Sequence, residues 1–287
     1  MTYPDKIVHG TGIAVTTLPN LLGKGRWRLE GLRARRSHDF YWVTRGQGRL
    51  SINGRTRGYG PNSVLFIPAG SVYGLTTAAN VQGYAATLPD ILPVPVPGNP
   101  GLVKASSIFD QGQITSYFEQ ISREQDSKNQ GFEQAMESYM TLLGIWIERN
   151  SGRNDWPLKS KPPAADRLVA TFLRRLDTGF CRTGTTADYA ADLNVTATHL
   201  SRVCRELLGH PASDLIRDRT VLEAQILLAD TDMRINHVAE HLGVESAAYF
   251  SRMFKSSTTL SPRAFRDHAR ARPMSKASGT PGKIARK

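Results

Sequence analysis

The chain has 287 residues, of which 40% are hydrophobic and 22% charged, and this is enough for two domains with sizeable cores. No run approaches the roughly 18 apolar residues of a membrane-spanning helix, and no Cys/His cluster has zinc spacing. We expect no signal peptide, because the first residues do not have the pattern of one. The net charge of +12 favours a polyanionic partner, and the two cysteines, Cys181 and Cys204, are too few for a disulfide framework. We therefore expect a cytoplasmic protein that does not bind membranes.

Residues 1–92 are predicted to form strands joined by tight turns. Asn53-Gly54 is a strong signal for a two-residue hairpin, because a type I′ turn needs positive φ at both central positions. Short runs of β-branched and aromatic residues lie on either side of it, at 40–43 and 64–67. The order strand, Gly-x-Gly, hairpin, Gly-Pro, strand, Pro-Ala-Gly resembles a cupin-like β-barrel, and the resemblance implies a ligand-sensing domain.

The ligands of a metal-binding cupin are not visible in these strands. Such a barrel needs His and Glu at set places, whereas only His38 lies near them and Tyr73 stands where a His often follows Pro-x-Gly. No nucleophile and base occur together in a way that indicates catalysis. We therefore expect no metal, no cofactor and no catalytic residues, and we interpret the chain as a binding protein and not as an enzyme.

A small barrel can hold one ligand against the side chains that point inward from alternate strand positions. The candidate effector-binding residues are Arg26, Arg28, His38, Phe40, Trp42, Phe66, Tyr73 and Tyr84. Because two arginines stand near the start of the barrel, our hypothesis is an organic or aromatic acid held by Arg26 or Arg28. Two alternatives stay open: the aromatic residues are ordinary core residues, and the arginines are solvated surface residues. Strand alternation does not decide between them, because it does not fix whether the odd- or the even-numbered residues point inward.

A Pro-rich connector and two amphipathic helices are predicted in residues 93–150. The helices are expected at about 110–124 and 131–149, and each has an apolar stripe at helical spacing that must be buried. These stripes either form a dimerisation unit or pack on the chain's own barrel. Residues 151–163 are polar and Pro-rich, and they are predicted to be an interdomain linker.

Residues 164–270 contain the same pattern twice. Residues 190–195 correspond to 239–244 at an offset of 49, and residues 200–205 correspond to 250–255 at an offset of 50. In each copy the apolar residues recur with the period of a helix, first over a short segment and then over a second one. The sequence therefore predicts two copies of one small helical motif.

Each copy is predicted to be a helix-turn-helix unit. Asn194 and Gly243 fall at the turns, where a residue that tolerates positive φ is needed. Thr196 and Ser246 follow at the expected N-caps of the second helices. A long helix at about 213–229 is predicted to join the two units and to fix their relation.

The second helix of each unit has an apolar face and an opposite face of small polar and basic residues. Such an outward face fits a recognition helix in the major groove of DNA. A solvated helix on an ordinary α-domain explains a single copy equally well. The Ser201-Arg202 and Ser251-Arg252 pairs at matching positions in both copies favour DNA binding.

These motifs resemble the tandem helix-turn-helix domain of AraC-type (arabinose-operon regulator, AraC/XylS) transcription factors. The signature of the second unit consists of Ile235, Val238, Ala239, Gly243, Tyr249, Phe250, Ser251, Arg252, Phe254, Lys255, Ser261, Pro262, Phe265 and Arg266. One position departs from the family, which usually has Gly where this chain has Thr259, and the conformation of that turn depends on it. The resemblance implies a multidomain α and β fold, with an N-terminal cupin-like β-barrel, a helical dimerisation unit, and a C-terminal all-α domain of two helix-turn-helix motifs joined by a long helix.

The outward residues of the two recognition helices are assigned to two roles. Base edges are expected to be read by Thr198, Ser201, Arg202, Ala247, Ala248, Ser251 and Arg252. Phosphates are expected to be contacted by Arg205, Lys255, Arg263 and Arg266, with a structural role as the alternative for Arg266. Residues 271–287 are basic and poor in apolar residues, so we expect a disordered tail that attracts phosphates.

The sequence therefore predicts a transcription activator that binds double-stranded DNA sequence-specifically and responds to a small-molecule effector in its barrel. The resemblance further implies a homodimer, and an activator would contact RNA polymerase. The alternative is a DNA-binding regulator without a small-molecule ligand, controlled by its abundance or by a protein partner.

Overall fold

A computed structural model describes residues 12–35, 37–151, 163–179, 184–244 and 246–271. Within these ranges the N-terminal half is rich in strands and the C-terminal half is helical, as the sequence predicts. The predicted basic tail from residue 272 onward, Cys181, and the predicted linker between residues 151 and 163 lie outside the described residues.

The strands of the N-terminal half form two antiparallel sheets. They are β1 (Ala14–Thr17), β2 (Arg33–Ala34), β3 (Ser37–Arg45), β4 (Gly48–Ile52), β5 (Arg55–Tyr59), β6 (Ser63–Ile67), β7 (Val72–Thr77), β8 (Gln82–Pro89) and β9 (Gly101–Lys104). Sheet A has the order β1-β8-β3-β6-β9, and sheet B has the order β2-β7-β4-β5. Two short helices, α1 (Leu18–Gly23) and α2 (Trp27–Glu30), connect β1 to β2. In the described residues, therefore, two facing sheets stand where the sequence predicts a barrel.

The β4–β5 hairpin forms at the predicted turn. Asn53 and Gly54 have φ values of 47° and 86°, the positive values that a type I′ turn requires. The carboxamide oxygen of Asn53 also accepts a hydrogen bond from the backbone N–H of Val72, at 3.2 Å. This bond ties the turn to β7.

Strand β3 separates two hydrophobic cores, because its alternate side chains point to opposite faces of sheet A. Tyr41 and Val43 are buried between the two sheets. Phe40 and Trp42 are buried on the other face of sheet A, beneath helices. Both faces of β3 are covered, and this explains why its sequence is a continuous apolar run without alternation.

Two helices, α3 (Ile108–Ser127) and α4 (Phe132–Ser151), cover the outer face of sheet A. Their buried stripe residues are Ile114, Phe118, Ile121, Met136, Met140, Leu143 and Ile147. Trp42 donates a hydrogen bond from Nε1 to Oγ1 of Thr115, at 3.0 Å, and so links β3 to α3. The stripes thus pack on the chain's own sheet, while Ile108 and Phe109 at the start of α3 remain 88% and 77% exposed.

The C-terminal half consists of helices. They are α5 (Ala164–Gly179), α6 (Thr186–Asp192), α7 (Ala197–Leu208), α8 (Ala212–Asp230), α9 (Ile235–His241), α10 (Ala247–Thr258) and α11 (Pro262–Ala271). Helices α6 and α7 form the first helix-turn-helix unit, α9 and α10 form the second, and α8 lies between the two units in the chain. No helix in the described ranges has the length and hydropathy that a bilayer crossing needs.

Each helix-turn-helix unit has its own core, and a buried arginine links the first of them to α8. Arg219 of α8 donates to Asp177 of α5 at 3.1 Å and to Glu223 at 3.0 Å. In the same core, burial raises the pKa of the Cys204 thiol to about 12, so this cysteine is a protonated packing residue.

Candidate nucleic-acid interface

Both tight turns have the backbone conformation that their sequences predict. Asn194 and Gly243 lie in the left-handed region, with φ of 55° and 69°. The hydroxyl oxygens of Thr196 and Ser246 each accept a hydrogen bond from the backbone N–H three residues further on, at 3.2 and 3.3 Å. The recognition helices α7 and α10 therefore begin at the predicted caps.

Helix α7 buries one face and exposes the other. Leu200 and Val203 are buried in the core of the first unit. The outward face consists of Thr198, Ser201, Arg202 and Arg205, of which only Ser201 is partly covered. The side chains assigned to base reading and phosphate contact in this unit thus share one accessible surface.

Arg202 is oriented along this surface by its neighbour one turn away. Its Nη1 donates to Oε1 of Glu206 at 2.6 Å, and both side chains are more than half exposed. An exposed pair of this kind contributes at most about 1 kcal/mol. The guanidinium can therefore leave this pair at little cost.

Helix α10 repeats this arrangement. Phe250 and Phe254 are fully buried, and the ring of Phe254 meets that of Phe265 edge-on at 5.4 Å. The outward face consists of Ala247, Ala248, Ser251, Arg252 and Lys255, of which only Ser251 is partly covered. The inward and outward sets are those that helical spacing predicts.

The two arginines of α11 assigned to phosphates point in different directions. Arg263 is exposed. Arg266 instead donates to the carbonyl oxygens of Leu228, at 3.3 Å, and Met233, so it ties α11 to the end of α8. Burial and the nearby Arg270 lower the pKa of Arg266. We therefore give Arg266 the structural role and remove it from the phosphate set.

Five of the eight candidate effector residues lie on the helix-covered face of sheet A. These residues are His38, Phe40, Trp42, Phe66 and Tyr84. The ring of His38 stacks on Phe66 at 6.1 Å, and its Nδ1 accepts the backbone N–H of Ala69 at 3.2 Å. Burial lowers its pKa. The expectation that these residues line the barrel interior is corrected, because the opposite parity of β3 points between the sheets.

Tyr73 does point between the sheets, but a protein carboxylate holds its phenol. Its hydroxyl donates to Oδ2 of the fully buried Asp39 at 2.6 Å and lies 2.8 Å from the hydroxyl of Tyr41. Burial raises the pKa of Tyr73 well above its ordinary value. In the described residues, no group of three or more His, Cys, Asp or Glu side chains is placed to hold a metal.

The two arginines proposed to hold an acid do not point between the sheets. Arg26 is exposed and donates to the carbonyl oxygen of Thr77 at 3.4 Å. Arg28 is buried, and its Nη1 and Nη2 donate to the two carboxylate oxygens of Asp230 at 2.9 and 2.6 Å. The carboxylate that Arg28 binds therefore belongs to this chain, at the last residue of α8.

Among the contacts between the N-terminal and C-terminal halves, two contain an arginine–carboxylate pair. We call the first the α2 anchor: it comprises the Arg28–Asp230 pair and the ring of Trp27, which meets Phe265 at 5.7 Å. The second is the hairpin anchor, in which Nε of Arg55 donates to Oδ2 of Asp166 on α5 at 2.7 Å.

The position of Asp230 in its helix indicates that a cation lies near its carboxylate. Asp230 ends α8, where the partial negative charge of the helix terminus disfavours a carboxylate. A cation close to that position was therefore to be expected. The single sequence does not indicate which residue supplies this cation, so neither anchor can be predicted from the sequence.

A cleft of about 760 Å³ lies between the two anchors. Its N-terminal wall is the outer face of sheet B, where Arg49, Ser51 and Thr76 line it. Its C-terminal wall includes Leu222 of α8 and, beyond the end of α7, His210. The lining of the cleft thus combines basic, hydroxyl and apolar side chains, and it also includes two acidic residues, Glu30 and Asp218.

Known proteins resemble the C-terminal domain. The helix-turn-helix domain family matches residues 189–268. The arabinose operon regulatory protein of Escherichia coli is 34% identical over 80 residues, which are 28% of this chain and 27% of that one. The probable transcription factor PqrA of Proteus vulgaris is 31% identical over 106 residues, and the match covers 36% of this chain and 87% of that protein. The chain belongs to the AraC/XylS-type family of helix-turn-helix transcription regulators.

Several of these matches cover only a part of each relative. The chain spans only 25% to 37% of the length of the arabinose operon regulators and of two Bacillus subtilis regulators that it matches. The crystal structure of ToxT from Vibrio cholerae covers 91% of this chain and 100% of that chain, with 12% identity and a TM-score of 0.45.

Proposed function

We propose that the protein is a sequence-specific transcription regulator that inserts α7 and α10 into successive major grooves of double-stranded DNA. The observation that carries this proposal is the pair of recognition helices, each capped at its start and exposed on its polar face. Successive grooves on one side of a duplex are about 34 Å apart, and α8 holds the two helices in one relation. The DNA therefore bends, or one unit makes fewer base contacts.

Within this interface we assign distinct roles to the outward residues. The base-reading residues are Thr198, Ser201, Arg202, Ala247, Ala248, Ser251 and Arg252. The phosphate-contacting residues are Arg205, Lys255 and Arg263. A guanidinium that reads guanine through two hydrogen bonds discriminates by about 1–3 kcal/mol, whereas phosphate contacts carry no sequence information.

The experiment is selection of binding sites from random duplex DNA with the full chain, followed by titration of single variants. Arg202→Ala should relax the preference at one position of the selected site. Lys255→Ala should weaken binding to all sequences and reduce the salt slope by about 1. Arg149→Ala removes an equal charge from the exposed end of α4 and should change neither. Equal, sequence-independent losses from Arg202→Ala and Lys255→Ala would contradict the assigned roles, and failure to enrich any sequence would contradict the function.

We further propose that the two-sheet domain is a cupin-like sensor whose effector, an organic acid, binds in the cleft between the anchors. Dense packing between the sheets and the 760 Å³ cleft support this location. Arg49 and His210 can meet a carboxylate, and Leu222 can meet an apolar body. A regulator without a ligand remains the second candidate.

A panel of small carboxylates, aromatic acids, sugars and amines tests the effector through the thermal stability of the full chain. An acid that binds should raise the unfolding midpoint saturably. Arg49→Ala should reduce the rise, whereas Arg26→Ala, which removes an exposed arginine outside the cleft lining, should leave it unchanged. No rise with any compound would favour the regulator without a ligand.

We also propose a homodimer that uses the exposed apolar residues of the α3–α4 layer and contacts RNA polymerase as an activator. Ile108, Phe109 and Leu142 support this surface, since they are exposed while the other apolar stripe residues are buried or partly buried. Phe109→Glu should shift the full chain to a monomer in sedimentation experiments. Ile91→Glu, at another exposed apolar position, is the matched control and should not change the mass.

A further inference from the structure

A series of polar contacts begins in the core between the two sheets. Asp39 is fully buried, and its carboxylate accepts hydrogen bonds from the hydroxyls of Tyr73, at 2.6 Å, and Ser37, at 3.1 Å. The hydroxyl of Tyr41 lies 2.8 Å from that of Tyr73. A buried carboxylate needs a nearby cation as well as hydrogen bonds, because its desolvation costs several kcal/mol.

Arg35 meets this need and at the same time reaches α2. Its Nη1 lies 3.8 Å from Oδ2 of Asp39, and its Nη2 donates to the main-chain oxygen of Arg28 at 3.1 Å. The guanidinium also lies over the ring of Tyr73, 5.3 Å from its centre. One side chain therefore touches both the buried acid and the backbone of α2.

Strand β2, just before Arg35, lies at the boundary between the domains. Its Arg33 pairs with Tyr73 of β7 in sheet B. Its Ala34 and the preceding Leu32 pack against the core of the first helix-turn-helix unit. A displacement of the Arg35 segment would therefore move residues that contact sheet B and residues that contact the first helix-turn-helix unit.

The contacts continue from Arg28 to the DNA-binding half. Arg28 binds both carboxylate oxygens of Asp230, and Trp27 next to it packs on Phe265 of α11. Asp230 ends the helix that joins the two units, and the second unit follows directly. A bidentate arginine–carboxylate pair has strict geometry, so a shift of α2 would act on the end of α8.

We propose that Arg35 is a positioning residue that couples the core between the sheets to the second helix-turn-helix unit, through Asp39 and Tyr73 on one side and the Arg28–Asp230 pair on the other. The biological meaning of this inference rests on the proposed function. The coupling would allow a structural change in the proposed sensor domain to alter the position of the second recognition helix. The physical coupling itself does not require a DNA or an effector.

A double-mutant cycle between Tyr73→Phe and Asp230→Asn tests the coupling. Both changes are small, and neither residue lies on the DNA-facing surface. Each single change should lower the affinity of the full chain for its selected DNA. If the residues are coupled, the effect of the double change should differ from the product of the single effects by at least about twofold. The proposal would be overturned if the change in affinity of the double variant equalled the product of the two single changes, or if Asp230→Asn left the affinity unchanged.

The hairpin anchor supplies the matched control. Tyr73→Phe combined with Asp166→Asn also breaks an interdomain pair, but one on α5 and without Arg35, so its effects should multiply. In chains that carry Arg35→Gln, the coupling between Tyr73 and Asp230 should disappear.

The same cycle can be measured on the unfolding midpoint of the full chain without DNA. Non-additive shifts for Tyr73 with Asp230, and additive shifts for Tyr73 with Asp166, are expected. If the chain bound no DNA, the proposed function would fail while this cycle could still succeed. Additive shifts in both cycles would overturn the coupling, whatever the DNA experiments show.

Discussion

Arg28 and Asp230 form an ion pair with two hydrogen bonds across the domain boundary, although 202 positions separate them in the sequence. Their side chains are only 7% and 12% exposed. Removal of one partner from a buried pair leaves the other charge without compensation, at a cost of about 3–5 kcal/mol. We therefore expect Asp230→Ala to lower the free energy of unfolding by an amount in this range, measured by urea titration of the full chain.

The control for this prediction is the exposed Arg202–Glu206 pair, which has the same shortest contact of 2.6 Å. Glu206→Ala should cost at most about 1 kcal/mol, because water and salt screen both groups. Equal effects of the two alanine variants would mean that burial of the Arg28–Asp230 pair does not determine its contribution.

Thr259 ends α10 in a conformation that suits glycine. Its φ is 65°, and at the corresponding end of α7 Gly209 has a φ of 82°. A side chain in the left-handed region costs roughly 1–2 kcal/mol, and part of this cost is offset by the larger chain entropy of an unfolded glycine. Thr259→Gly should therefore stabilise the protein by about 0.5–1 kcal/mol in thermal unfolding, and Gly209→Ala should destabilise it by a similar amount. A loss of stability in Thr259→Gly would show that the strain is compensated by contacts of the threonine.

Alanine substitutions at Arg263 and Arg266 should affect different properties, DNA affinity in the first case and stability in the second. Arg266→Ala removes charge-assisted hydrogen bonds to two backbone carbonyls and should destabilise the protein by about 1.5–3 kcal/mol. Arg263→Ala should change stability by less than about 0.5 kcal/mol and reduce the salt slope of DNA binding by about 1. Urea titration and binding at several salt concentrations check both. A stable Arg266→Ala protein with a reduced salt slope would return this residue to the phosphate set.

Tyr41 should make stability depend on pH in the alkaline range. Burial raises its pKa from 10.0 to about 12, against the opposing effect of Arg35. The folded state therefore holds this proton more tightly than the unfolded state does. The resulting stability is fully present below pH 10 and is lost as the pH rises toward 12. Tyr41→Phe should flatten the fall of the urea midpoint across this window, and an unchanged slope would contradict the assignment.

The sequence predicts local features of this fold better than long-range ones, for a physical reason. Asn194 and Gly243 mark the tight turns because few residue types tolerate positive φ, and that preference is local. The face of β3 that carries Phe40 and Trp42 could not be predicted, because both faces are buried and the run contains no alternation. The partner of Asp230 lies 202 positions away, and no periodicity reaches that far. Helical spacing therefore predicts which residues of α7 and α10 are exposed, whereas five of the eight candidate effector residues lie on the helix-covered face of sheet A.

The two anchors limit how freely the halves of this protein can be exchanged with those of its relatives. A hybrid that joined this N-terminal half to another regulator's C-terminal half would bring Arg28 and Arg55 against whatever residues replace Asp230 and Asp166. If either replacement lacked a carboxylate, the guanidinium group of Arg28 or Arg55 would lie between the two halves without its counter-ion. A functional chimera therefore has to import two acidic side chains along with the linker, or remove both arginines.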